Sequence, residues 1–229
     1  MTDKKYPSGI PDKFDLDGNV QPFAGNTIIC PLANTTLLPL VAELQQSRLS
    51  HLYTLLPPSS WHMTAFEGVV DSRRGKGQWP SDIAANASLA ECTEHFKQKL
   101  ADFDLATDSP FHVNIAAIEF AGSLSGIRAT LEPVSKDEKQ LRDVRDRLSD
   151  RLKIRSKKHD TYGFHLSIAY MLRYPTDEQQ IELREVFERY FERVPKQTAL
   201  EAPEFCTFED MFGYHPVLTL KDQSAGQMD

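Results

Sequence analysis

Two histidine-bearing words, His62-Met63-Thr64 and His165-Leu166-Ser167, constrain this chain's fold more than any other feature. Each sits inside an apolar run that alternates like a β-strand, residues 60–66 and 164–170. Residues i and i+2 of a strand share a face. Each word therefore presents an imidazole and a hydroxyl side by side, roughly 7 Å apart at ~3.3 Å of rise per residue. Polar side chains in an apolar strand are costly unless hydrogen-bonded or used. The histidines are 103 residues apart, one in each half of the chain, so a fold using both must bring two distant strands to one cleft. A third match, His159-Asp160-Thr161, lies in the charged stretch Ser156-Lys157-Lys158-His159-Asp160 without alternation and reads as loop. With 7 histidines in the chain, about one such match is expected by chance.

A chain of 229 residues, 40% hydrophobic, suffices for one large domain or two intimate lobes. The formal net charge of -7 argues against a long nucleic acid as partner, because that affinity needs clustered Lys and Arg. A small phosphorylated nucleotide or an oligonucleotide end remains compatible. Cys30, Cys92 and Cys206 are odd in number and widely spaced, which fits neither a disulfide framework nor a zinc site. No stretch reads as a signal peptide or membrane span. The expectation is a cytoplasmic monomer with no membrane partner.

Residues 1–25 read as an extended lead-in to a single domain over 26–229, with lobes of roughly 26–108 and 109–220. Strands are expected at 26–30, 51–56, 111–120 and 127–131, besides the two motif strands, with short strands in 203–220. Helices are expected from Thr36, from Ser81 as N-cap, from the capping box Ser135-x-x-Glu138, and from Thr176-x-x-Gln179.

With one histidine word in each half, the chain resembles the two-histidine (2H) phosphoesterase superfamily, which includes 2′–5′ RNA ligase-like proteins and cyclic nucleotide phosphodiesterases. The resemblance covers element order over roughly 26–220. The second word extends to His165-x-Ser167-x-x-Tyr170, similar to the cyclic phosphodiesterase branch, and 55–64 (Leu55 to Thr64) resembles a poorly characterised bacterial and fungal branch. It implies an α+β fold: a bilobal pseudo-symmetric arrangement, two antiparallel sheets facing a central cleft, with helices packed outside. It also implies metal-independent hydrolysis of a 2′,3′-cyclic or 2′–5′ phosphodiester, without cofactor. His62 and His165 would serve as general acid and base, and Thr64 and Ser167 would bind the phosphate. The alternatives are RNA end processing or 2′–5′ ligation, and a non-catalytic nucleotide-binding module.

Tyr170 enters as a substrate-binding candidate through the resemblance, although strict alternation turns it away from His165. Arg128, mid-strand, either clamps an anion or snorkels to an exposed sheet face. Arg73, Arg74 and Lys76 either curl over the cleft or form a solvated loop. Trp79 or Trp61 could stack a base, with core packing favoured for Trp61. His51, His112 and His215 read as structural, and His95 as a helix-surface residue. Glu67, five residues after His62, lacks partners at metal-ligand spacing.

Overall fold

The computed structural model describes residues 5–32, 36–107 and 110–222. Among the described residues, nine strands form one sheet: β1 (Gly25–Pro31), β2 (Tyr53–Leu55), β3 (His62–Val70), β4 (Phe111–Phe120), β5 (Gly126–Pro133), β6 (His165–Met171), β7 (Gln197–Leu200), β8 (Glu204–Phe208) and β9 (His215–Thr219). Their order is β7-β4-β5-β6-β3-β1-β8-β9, with β2 also pairing with β6. The paired strands run antiparallel, and the sheet curls into a half-barrel. Among the described residues, four α-helices accompany it: α1 (Leu38–Gln46), α2 (Leu89–Leu100), α3 (Ser135–Leu152) and α4 (Asp177–Phe191). None of the described helices is long and apolar enough to cross a membrane.

The fold is mixed α+β as expected, but the two sheets are one. The motif strands β3 and β6 join the two halves through the pair Met63–Leu166. The halves are not contiguous in sequence either: β8 and β9 return from the end of the chain to pair with β1, and β2 crosses to β6. The expected lobe boundary at 108/109 lies outside the described residues.

Strand alternation sets the layers. On the motif strands Met63, Ala65, Leu166 and Ile168 are fully or almost fully buried, leaving His62, Thr64, His165 and Ser167 on the opposite face. α3 packs against β3, β4 and β5. Its buried Leu141, Val144, Leu148 and Leu152 recur at helical spacing, and each such side chain contributes roughly 1.5–3 kcal/mol.

Three helix starts differ from the sequence reading. α1 begins at Leu38, after Leu37 as N-cap, rather than at Thr36. α2 begins after Ser88, not Ser81, because Ser88 and Glu91 make the reciprocal capping box. α3 begins with Ser135 already inside it, its N-cap being Val134. Thr176 and Gln179 cap α4 as expected.

The lead-in is not extended. Asp15 accepts from the backbone of Asp17 and Asn19 and closes a turn. Phe14 is fully buried, against Tyr170 at 5.2 Å and Phe212 at 5.6 Å between ring centroids. The Phe23 amide donates to the Glu209 carbonyl at 2.7 Å. This segment thereby seats on the rim of the cleft.

Candidate active site

All four motif side chains line one cavity of about 270 Å³. Because Met63 pairs with Leu166 in antiparallel register, continuing by one residue on either side sets His62 opposite Ser167 and Thr64 opposite His165. Both histidines line the one cavity, on either side of that bridge.

Each ring is oriented by the same local device. His62 Nδ1 hydrogen-bonds to the Ser60 carbonyl at 2.7 Å, and His165 Nδ1 to the Gly163 carbonyl at 2.9 Å. A carbonyl only accepts, so Nδ1 carries the proton in both rings and Nε2 is the nitrogen left for chemistry. A tyrosine flanks each ring: Tyr214 lies 4.3 Å from His62, edge to face, and Tyr162 lies 5.9 Å from His165. Burial pushes the Tyr162 phenol up to about 12, against a side-chain hydrogen bond with Thr64. Burial raises Tyr214 further. Both phenols therefore keep their protons at neutral pH.

Burial lowers the His62 pKa from 6.5 to about 4; the Ser60 carbonyl opposes this, and the positive charges of His165 and Lys13 add to it. Burial lowers His165 as well, opposed first by the Gly163 carbonyl and reinforced by Arg128 and Lys13. At pH 7 the unliganded site thus holds two neutral imidazoles, each with a free Nε2 lone pair.

β-Bulges decide which later residues reach the cavity. Ile28 pairs with Phe66 but Ile29 with Thr64, so Ala65 is an extra residue on β3. Ile127 pairs with Ala169 but Arg128 with Ser167, so Ile168 is an extra residue on β6. Each bulge reverses the alternation and returns the residue five positions after the histidine, Glu67 or Tyr170, to the cavity wall. A second irregularity on β3 falls at Gly68, whose φ of +62° and approach to the Asn26 carbonyl leave no room for a Cβ.

Glu67 is tied down. It accepts from Arg145 at 3.0 Å and from Ser156 at 3.1 Å. Arg145, 1% exposed, also donates to the Ala65 carbonyl at 2.6 Å and lies 4.2 Å from the Tyr162 ring. This pair locks the bulged part of β3 to α3. Glu67 is thereby committed to a guanidinium and a hydroxyl. Elsewhere among the described residues, Asp146, His159 and Asp160 bring possible ligand atoms within 4.8 Å of one another, but Arg155 pairs with both carboxylates. His159, from the third histidine word, lies in a turn, buried against Asp146.

The other candidates separate. Tyr170 and Arg73 line the cavity. Arg128 stands across from Ser167, but its guanidinium turns to Glu119 at 2.9 Å, and Thr130 donates to the same carboxylate. It does not line the cavity. Arg74 points away: it pairs with Asp71, donates to the Ala85 carbonyl, and stacks 3.9 Å above the Trp79 ring. Trp79 is buried beneath it and Trp61 is buried in the core, so neither is free to stack a base. Lys13, Phe23, Tyr162 and Tyr214 were missed by sequence reasoning, and all four line the cavity. A larger open groove of about 590 Å³ runs between α2 and the end of α3, lined by charged side chains. Lys99 pairs with Asp82 there, and Arg151 with Asp102.

Two strands each offer an imidazole and a hydroxyl to one cavity, the arrangement that the two-histidine resemblance implies. Residues 13–124 match the family model described as 2H-phosphodiest, domain of unknown function (DUF1868), a span that contains the first motif. That stretch of the chain is similar to the two-histidine phosphodiesterase family. A conserved protein of unknown function, ATU0111 from Agrobacterium tumefaciens str. C58, has a similar fold, with a TM-score of 0.86 over 94% of each chain at 21% identity. TT0787 of Thermus thermophilus is more distant, with a TM-score of 0.50, 14% identity, and coverage of 86% of this chain and 96% of that one. No curated protein matches the sequence.

Proposed function

We propose that the protein is a metal-independent phosphodiesterase that hydrolyses a small 2′,3′-cyclic or 2′–5′ phosphodiester by two-histidine acid–base catalysis. The observation that carries this reading is the matched pair of imidazoles, each with Nδ1 bound to the carbonyl two residues earlier and Nε2 facing one cavity. One neutral Nε2 takes a proton from water as the water oxygen attacks phosphorus. The bond from phosphorus to one ribose oxygen breaks, and the other ring, protonated at Nε2, donates its proton to that oxygen. Thr64 and Ser167 donate hydrogen bonds to the non-bridging oxygens, where charge grows in the transition state. The cavity's small size and the net charge of -7 favour a small substrate over an RNA chain.

The test is product formation from the four nucleoside 2′,3′-cyclic monophosphates and a 2′–5′ dinucleotide, followed chromatographically with and without a strong chelator. Turnover of at least one substrate, undiminished by chelator, is expected. Tight binding without turnover would instead make the protein a nucleotide-binding module, and loss with chelator would refute the metal-free chemistry.

A further inference from the structure

The cavity holds positive charge that acid–base chemistry on one phosphodiester does not use. Lys13, from the N-terminal turn, and Arg73, from the turn after β3, both line it. Both cations lie against the Phe23 ring, each 5.0 Å from its centroid, so they are separated by no more than twice that distance. Lys13 Nζ donates to the Tyr170 hydroxyl at 2.7 Å, a neutral partner. Among the described residues it pairs with no carboxylate. Arg73 faces Asp12 at 3.8 Å, with side chains 46% and 65% exposed. Such a loose surface pair is readily exchanged for a better anion. Glu67, the cavity's own carboxylate, is committed to Arg145 and Ser156.

An aromatic wall connects these cations to the histidines. From His62, Tyr214 lies at 4.3 Å, Phe208 at 5.4 Å from Tyr214, and Phe23 at 6.4 Å from Phe208. The wall runs from His62 to the Phe23 ring against which both cations lie, so the cations and the imidazoles are offered to different parts of one ligand. A lysine point charge beside an arginine fork suits a terminal phosphate.

We propose that the substrate is a small nucleotide carrying a second phosphate at the end remote from the scissile diester, and that Lys13 and Arg73 bind this second phosphate. The proposal rests on the cavity being a phosphodiester site and adds its substrate class. The same phosphate chemistry occurs as the internucleotide linkage of an RNA end, but the cavity volume and the acidic protein favour the small nucleotide.

Calorimetric titration of the full chain with adenosine 2′-monophosphate and adenosine 2′,5′-bisphosphate tests this without requiring turnover. The bisphosphate is expected to bind about tenfold tighter or more, as charge-assisted hydrogen bonds imply. That ratio should fall toward one in Lys13→Met and Arg73→Met, which keep an apolar stem on Phe23. It should persist in Lys97→Met, which removes an exposed charge on α2. Equal affinities, failure of both ligands to bind, or a ratio that survives both cavity substitutions would overturn the proposal. So would a 2′-phosphorylated trinucleotide binding more than tenfold tighter than the bisphosphate. Selective bisphosphate binding by a chain that hydrolyses no cyclic substrate would defeat the catalytic reading alone.

Discussion

Filling the cavity with a phosphate anion should make the His62 ring, neutral at pH 7 without it, protonatable near neutral pH. Burial lowers its pKa from 6.5 to about 4, which corresponds to about 3 kcal/mol against the charged form. A unit negative charge about 4 Å from the ring, at an effective dielectric near 20, favours that form by about 4 kcal/mol. The two are comparable, so one bound phosphate should return the ring to roughly its ordinary range and make a general acid of it. The assay is a titration of imidazole 15N shifts, with and without saturating adenosine 2′-monophosphate. Without ligand, His62 should show the Nδ1–H tautomer and titrate near 4. With ligand, its midpoint should rise by at least one pH unit. A ring titrating near 6.5 without ligand, an Nε2–H tautomer, or a midpoint indifferent to phosphate would each refute the reasoning. The stability consequence has a definite sign. A folded-state pKa below the unfolded value means the unfolded chain binds the extra proton, so this contribution is intact above about 6.5 and is lost as pH falls toward 4. His62→Asn should flatten that part of the stability–pH curve.

Other expectations concern the supports of the site. Glu67→Gln leaves the buried Arg145 guanidinium without its carboxylate, a loss of roughly 3 kcal/mol or more for a buried pair. Denaturant unfolding should show Arg145→Met combined with Glu67→Gln costing less than the sum of the two single changes; simple additivity would mean the pair is not coupled. Thr64→Ala and Ser167→Ala should each lower kcat on a cyclic substrate by roughly 10²-fold or more while the melting temperature holds. Unchanged kcat in both would remove the hydroxyls from transition-state stabilisation.

The four motif side chains were legible because strand alternation is a local property: neighbours bury Met63 and Leu166 under helices and leave the polar residues on the other face. Tyr170 was legible only by resemblance. The bulge at Ile168 that turns it to the cavity arises from register against β5, which a single strand's sequence does not specify. Lys13 was illegible because its placement follows from the tertiary burial of Phe14. Arg128 occupies the right register position, yet Glu119, nine residues earlier on the neighbouring strand, takes its charge. The single sheet also depended on nonlocal pairing: the contact between Met63 and Leu166 joins what the sequence presents as two separate units.

The central claim is that the two histidines act on one phosphorus as a unit. Kinetics of His62→Ala, His165→Ala and the double variant on the best 2′,3′-cyclic nucleotide test this most directly, with circular dichroism melts to verify folding. Each single change should lower kcat by roughly 10²–10⁴-fold, and the double variant should be scarcely worse than the weaker single. Folded single variants that turn over like the parent, or two losses that simply multiply, would contradict it.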